Sequence, residues 1–184
     1  MRMSYPADKP LALTLGDPAG IGPDITLLAF DARHGDRLQP FVFLGDKQIL
    51  EARAHALGLS VPIATVSRPL EAVDVFADAL PVLPIPVPVP ITPGIPQAGA
   101  MAAVTASIEA AVEMVQSGDA RAVVTNPVSK SQLYQAGFEF PGHTEYLAAL
   151  AAENSHAPHP VMMLASDILK VVPATIHIPL KDVP

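Results

Sequence analysis

A histidine and a threonine stand together where a predicted helix begins. His143 and Thr144 follow a Pro-Gly turn in FPGHTEY and precede the apolar run of that helix. His143 can donate a hydrogen bond to a substrate oxygen, Thr144 can cap the helix or bind a ligand, and Glu145 suits the positive helix end. An ordinary helix cap with an incidental histidine explains the same pattern. The pair is therefore a candidate binding site with a purely structural alternative.

Two loops that follow predicted strands hold further candidates. The loop GDPAGIGPD contains Asp17, and its glycines let backbone N–H groups approach an anion at a helix N-terminus. It matches neither the dinucleotide fingerprint nor the P-loop, and a turn that positions the helix is the alternative. The loop TNPVSK places Lys130 just beyond the carboxyl end of a strand, where ligands of open α/β sheets bind. Lys130 could hold a phosphate or a carboxylate there, or simply face solvent.

A last candidate lies near the end of the sequence. His177 lies in ATIHIPL between apolar residues, in what reads as a buried strand. Neutral imidazole is the commonest protein metal ligand, and a strand is a rigid mount for it. A core histidine is the alternative, because a lone histidine cannot make a metal site. His156 and His159 lie in a polar, proline-broken segment and are predicted to be surface residues.

Alternating strands and helices must position these residues. Short apolar runs predict strands at 11–15, 40–46 and 61–66. Helical patterns fill the gaps, and one of these helices is predicted to start at an Asp46 cap and to end at Gly58. This β-α-β-α-β order predicts an α/β fold with a mostly parallel sheet and helices on its faces.

The second part of the sequence is less regular. The proline-rich stretch 80–96 predicts an edge strand or an extended connection, because proline cannot donate a ladder hydrogen bond. An alanine-rich helix ending at Gly118 and a strand at 121–125 follow it. Residues 160–166 and 169–178 predict two adjacent strands of a hairpin.

Composition excludes several classes of protein. The net charge of −7 argues against a general nucleic-acid binder. Without cysteine the chain has neither disulfides nor thiolate metal sites. No apolar stretch approaches the roughly 20 residues that cross a bilayer, and the N-terminus lacks a signal core, so we expect no membrane partner and a cytoplasmic protein.

The order of five motifs resembles one family. GDPAGIGPD, TNPVSK, GHTEYLA, VMMLA and TIHIPL occur in the order typical of the 4-hydroxythreonine-4-phosphate dehydrogenase family of vitamin B6 biosynthesis. The resemblance runs from Leu11 to Asp182 and is most specific in PAGIGPD and GHTEY. It implies a two-domain α/β architecture like that of isocitrate and isopropylmalate dehydrogenases, working as a homodimer. On that basis we expect a first domain segment at 1–126 and the start of a second domain at 127–184.

The resemblance also assigns roles to the candidate residues. It makes His177 the first of three histidines that hold a divalent metal (zinc, magnesium or cobalt), and it makes His143 and Thr144 a substrate-binding pair. Asp17 and Lys130 receive only a site-shaping role. Family chains run to roughly twice this length, and the other two histidines, most phosphate-binding residues and much of the nicotinamide site lie in the part not represented here. We therefore expect a truncated chain.

The implied reaction is the NAD- or NADP-linked oxidation of 4-phosphohydroxy-L-threonine, a small phosphorylated substrate, followed by loss of CO2. A dehydrogenase of a related 4-phosphorylated sugar acid, such as threonate or erythronate 4-phosphate, is the nearest alternative. A non-catalytic fragment and an acyltransferase acting on phosphate are alternatives of other classes, although TIHIPL counts against the acyltransferase.

Overall fold

A computed structural model describes residues 8–135, 137–140, 142–152, 156, 158–175 and 178–183, with the backbone alone for residues 143 and 180. The chain divides into two compact units, residues 1–140 and 141–184. The domain boundary after residue 126 that the family resemblance implies lies earlier than this division and stays a prediction.

The first unit is built on a parallel sheet. Its strand order is β3-β4-β2-β1-β5, and every pair in it is parallel. The predicted α/β class is thereby confirmed. The strands are β1 (Leu11–Thr14), β2 (Phe41–Gly45), β3 (Ile63–Thr65), β4 (Leu80–Pro84) and β5 (Val123–Val124). The helices are α1 (Gly22–Ala32), α2 (Lys47–Leu57), α3 (Glu71–Val75), α4 (Met101–Gln116) and α5 (Lys130–Gln135), with a 3-10 turn at Ala98–Ala100.

The sheet is covered on both faces because its strands are apolar at successive positions. On one face Val42 and Leu44 of β2 pack with Ala111 and Met114 of α4. Phe41 projects from the alternate side of β2 and packs edge-on against a phenylalanine at the end of α3, which also contacts α1. This two-sided burial is what a parallel sheet requires.

The proline-rich stretch divides into two parts. Residues 80–84 form β4, which lies between β3 and β2, so the predicted edge position was wrong. The sheet tolerates Pro81 because it stands one residue ahead of Val82, where pairing with β2 begins. Pro84 lies two residues past Val82, the last residue of β4 that pairs with β3. Neither proline therefore stands where both neighbouring strands pair with β4. The segment from 85 to 97 is a connection, as the sequence predicted, and it contains a turn closed by the bridge between Thr92 and Ile95.

Helix α4 lies in the core. With the preceding turn, over Ala98–Gln116, it is long and apolar enough to cross a membrane by length and composition alone. The expectation that no apolar stretch approaches this length was therefore wrong. Nevertheless Val104, Ile108 and Ala111 are buried within the first unit, as in the core helix of a sheet protein. Gly118 follows α4 with a positive φ of 81°, as predicted for the helix end.

The second unit contains a helix and a short hairpin. Helix α6 spans His143–Leu150, and the antiparallel strands β6 (Leu164–Ala165) and β7 (Lys170–Val171) confirm the predicted hairpin. The strands are shorter than expected. Residues 160–172 are exposed, so the first part of the strand predicted at 169–178 is not buried as expected.

Candidate functional site

The strand order marks one edge of the sheet as the place for a ligand. From β1 the chain adds β2 on one side, and it later adds β5 on the other. In open α/β sheets ligands bind outside the carboxyl ends of the strands where the order reverses in this way. The segments that leave these two ends are residues 15–21 and 125–129, which contain the two loops singled out in the sequence.

Asn126 joins the second loop to the strand and the helix that flank the first loop. Its backbone N–H donates to the Thr14 hydroxyl at 3.1 Å, and its side-chain Nδ2 donates to the Thr14 carbonyl and to the Thr26 hydroxyl, each at 2.9 Å. Asn126 is only 4% exposed, so these bonds form away from water. One residue further on, the Pro127 carbonyl accepts the Asp17 N–H at 2.8 Å.

Gly16 allows the loops to approach this closely. Its φ of +69° lies in the left-handed region, and a Cβ atom there would come within 2.6 Å of the Asn126 Cβ and 2.8 Å of the Pro127 carbonyl oxygen. Glycine is therefore required at this position on two independent grounds. A third loop joins from outside, because the Gly94 N–H donates to the Ala19 carbonyl at 2.7 Å.

A buried serine bonds to the backbone at the carboxyl ends of β1 and β2. The Ser107 hydroxyl accepts the Leu15 N–H and donates to the Leu44 carbonyl, both at 2.8 Å, and the residue is fully buried. It thus connects α4 to the ends of β1 and β2. Ser107 was not predicted from the sequence as a functional or structural residue. The available signal was a serine inside an alanine-rich helix.

The acidic residues of the glycine-rich loop have structural partners. The Asp17 carboxylate accepts the Ala19 N–H at 3.0 Å, which closes a tight turn, and Asp17 is 9% exposed. Asp24 accepts two hydrogen bonds from Arg53 of α2, one of them at 2.7 Å from Nε. This ion pair joins α1 to α2, and both of its side chains are largely buried. These contacts hold the turn and the two helices together, and the site-shaping role of Asp17 stays a prediction.

Lys130 is the first residue of α5 and is exposed. No ion pair to it is seen within the described ranges of the chain. The chain on either side of Lys130 has a buried residue, Asn126 in the preceding loop and Leu133 within α5, which is 2% exposed. Lys130 therefore begins a fixed helix with a positive charge available to a ligand.

The remaining candidates belong to the second unit or lie outside the described residues. His143 is the first residue of α6, and its side chain is not described. Thr144 is exposed and is the second residue of α6, whose N-cap is Gly142 without a side-chain cap, so Thr144 does not cap this helix and its binding role stays a prediction. His177 lies outside the described residues. His156 and His159 are exposed, as predicted.

A metal ion has no complete set of ligands in the part of the chain that the structure describes. No three histidine, aspartate or glutamate side chains come together there. The described residues therefore do not fit a three-ligand metal centre by themselves, and His177 as a ligand stays a prediction.

Comparison with known proteins supports the resemblance seen in the motifs. A family model described as pyridoxal phosphate biosynthetic protein PdxA matches residues 36–184. The 4-hydroxythreonine-4-phosphate dehydrogenase of Methylorubrum populi is 56% identical over 180 residues, which are 96% of this chain and 51% of that protein. The protein of the same name from Zymomonas mobilis is 44% identical over 95% of this chain and 50% of its own length.

Solved structures agree with the fold. A 4-hydroxythreonine-4-phosphate dehydrogenase from Klebsiella pneumoniae matches 94% of this chain with a TM-score of 0.77 at 31% identity, and this chain covers 52% of it. One from Burkholderia phymatum matches 95% of this chain with a TM-score of 0.79 at 29% identity, again over 52% of its own length. The chain thus spans about half the length of the relatives it matches. With most of its sequence matched by the family model and nearly all of it aligned to relatives of that kind, the chain belongs to the pyridoxal phosphate biosynthetic protein PdxA family.

Proposed function

We propose that this chain is part of a 4-hydroxythreonine-4-phosphate dehydrogenase that acts in vitamin B6 biosynthesis. The observation that carries the proposal is the 56% identity to the Methylorubrum populi enzyme over 96% of this chain. The site geometry supports it, because the two motif loops meet at the sheet edge where α/β proteins bind ligands. The proposal includes a homodimer in the cytoplasm.

The proposed reaction is a two-electron oxidation. The secondary alcohol of 4-phosphohydroxy-L-threonine loses a proton from oxygen and a hydride from carbon, and NAD or NADP accepts the hydride. The resulting β-keto acid then loses CO2. His143 and Thr144 would bind the substrate and orient the alcohol, which is a contribution of positioning. The proposal also includes a divalent metal with His177 among its ligands, whose remaining ligands would come from outside this sequence.

The test is an assay of the full-length enzyme that contains this sequence. With 4-phosphohydroxy-L-threonine we expect equimolar NAD(P)H and CO2, measured by absorbance and by a coupled CO2 assay. Threonate 4-phosphate and erythronate 4-phosphate serve as competing substrates. A kcat/KM at least tenfold higher for either sugar acid would replace the proposed substrate. Absence of NAD(P) reduction with all three would refute a dehydrogenase of this class.

A chelator tests the metal separately. Activity that disappears with EDTA and returns with zinc, magnesium or cobalt supports the metal and identifies it. Undiminished activity after exhaustive chelation, with the metal content of the protein measured at zero, would remove the metal from the proposal.

A further inference from the structure

We infer that Asn126 is a positioning residue for the Lys130 ammonium, and that Lys130 binds an anionic group of the substrate. This inference rests on the proposed function and deepens it, because it assigns an anion contact to the loop after β5. The observation behind it is a network of buried hydrogen bonds that joins Asn126, four residues before the start of α5, to the end of β1 and to α1.

The orientation of the Asn126 amide follows from its partners. One Nδ2 hydrogen is directed to the Thr14 carbonyl, which can only accept. The other is directed to the Thr26 hydroxyl, whose own hydrogen is donated to the Gly22 carbonyl at 2.8 Å. In this orientation every donor in the network has one acceptor. The flipped amide would instead place its oxygen against the Thr14 carbonyl, and neither atom could donate. The loop after β5 is thereby fixed to both β1 and α1.

Lys130 is close in sequence to this anchor. Pro127, Val128 and Ser129 separate it from Asn126, and the Ser129 carbonyl accepts the Leu133 N–H at 3.1 Å as α5 begins. The backbone before Lys130 is therefore held by Asn126 and the backbone after it by a buried leucine. An exposed ammonium on a rigid mount, in a chain of net charge −7, is suited to a phosphate or carboxylate group.

A double-mutant cycle in the full-length enzyme tests the inference. We expect Lys130→Ala to raise KM about tenfold or more, since charged hydrogen bonds contribute on the order of 1.5–3 kcal/mol. We expect Asn126→Ala to raise KM about three- to tenfold, with kcat changed less than twofold. If Asn126 acts through Lys130, Asn126→Ala adds less than a twofold change in the Lys130→Ala background. The same factor in both backgrounds, or an unchanged KM in folded Asn126→Ala, would overturn the inference.

The matched control separates positioning from loss of stability. Val42→Ala creates a cavity in the fully buried core of the same unit, away from both loops, and we expect it to lower stability without changing KM. If Asn126→Ala does not fold, Thr26→Val replaces it in the cycle, because it removes an acceptor of the Asn126 amide at nearly constant volume.

Amide hydrogen exchange tests the positioning without any substrate. Asn126→Ala should speed exchange of the Asp17 N–H about tenfold, because that N–H is bonded to Pro127 beside the lost anchor. The Ala12 N–H, bonded to the Ala122 carbonyl between the same two strands, should change less than twofold. Equal changes at both amides would refute a local anchor. Failure of the dehydrogenase assay alone would refute the proposed function and leave this result standing.

A second substrate identifies the anionic group. If Lys130 binds the phosphate, Lys130→Ala should not change the KM for unphosphorylated 4-hydroxythreonine. If it binds the carboxylate, the increase in KM should be the same for both substrates. A Lys130→Ala enzyme with wild-type KM for both would overturn the anion contact.

Discussion

The hydroxyl of Ser107 joins a helix to two strand ends, and its removal should be costly. Ser107→Ala leaves the Leu15 N–H without its acceptor inside the core. We expect the free energy of unfolding to fall by about 1–3 kcal/mol, measured by urea denaturation. The control is Thr105→Ala on the same helix, because within the described residues the Thr105 hydroxyl bonds only to two carbonyls of its own helix, those of Met101 and Ala102. Equal losses for the two variants would contradict the bridging role.

Comparing Gly16 with Gly58 distinguishes two costs of adding a side chain, the strain of a left-handed backbone and the collision with neighbouring atoms. Both have φ near +70°, but a Cβ atom at Gly58 would meet nothing within 4 Å, whereas at Gly16 it would collide with Asn126. Gly58→Ala should therefore lower the free energy of unfolding only by the cost of a left-handed backbone, about 1–2 kcal/mol. Gly16→Ala should lower the free energy of unfolding by clearly more, because the collision adds to the backbone cost. Thermal or urea denaturation measures both variants. Similar losses would show that the two loops can separate without penalty.

Candidate residues can be found in a sequence when their signal is local. Lys130 was identified because it follows a strand, and Asp17 because it lies in a glycine-rich loop. Asn126 lies in the same quoted motif as Lys130, yet its role could not be predicted. Its partners Thr14 and Thr26 are 112 and 100 residues away in the chain, and only the folded sheet brings them together.

At the scale of elements, Asp46 connects a helix to the proline-rich segment. Its carboxylate accepts the Gln48 N–H at 2.8 Å as the N-cap of α2, and the Val87 N–H at 3.2 Å. Asp46→Ala should lower the free energy of unfolding by about 1–2 kcal/mol. Asp46→Asn, which keeps a capping oxygen, should recover at least half of the loss. An alanine variant as stable as the wild type would show that the cap contributes nothing.

The same contrast explains which elements could be predicted. The Asp46 cap and the left-handed Gly58 at the two ends of α2 are confirmed, because capping depends on a few neighbouring residues. The interior position of β4 was missed because it depends on which strands pair, β3 and β2, and not on the residues of β4. Proline content alone therefore predicted an edge. Helix α3, only five residues long, was not predicted at all.

At the scale of the whole molecule, the second unit exposes many apolar side chains. Ile168 is 96% exposed and Val161 67%, on and beside the β6–β7 hairpin. We expect residues 1–184 expressed alone to aggregate or to form oligomers, because such surfaces associate in water. Size-exclusion chromatography with light scattering measures this. A sharp monomer peak together with a cooperative melt would contradict it.

Two variants locate the surface responsible. Ile168→Lys should reduce the associated fraction if the hairpin mediates association. Ile21→Lys places the same charge at a 61% exposed isoleucine of the first unit and should have a smaller effect. A larger effect at Ile21 would place the associating surface at the loop before α1.

The bonds between Thr14 and Asn126 also have a consequence for biosynthesis. After β1 the ribosome must add more than a hundred residues before Asn126 exists to bond with Thr14. Domains fold as the chain is synthesised, and synthesis adds about 5–20 residues per second. Lys130 therefore reaches a defined position several seconds after β1 is made. An incomplete nascent chain would therefore not yet present this lysine to its anionic ligand in a fixed position.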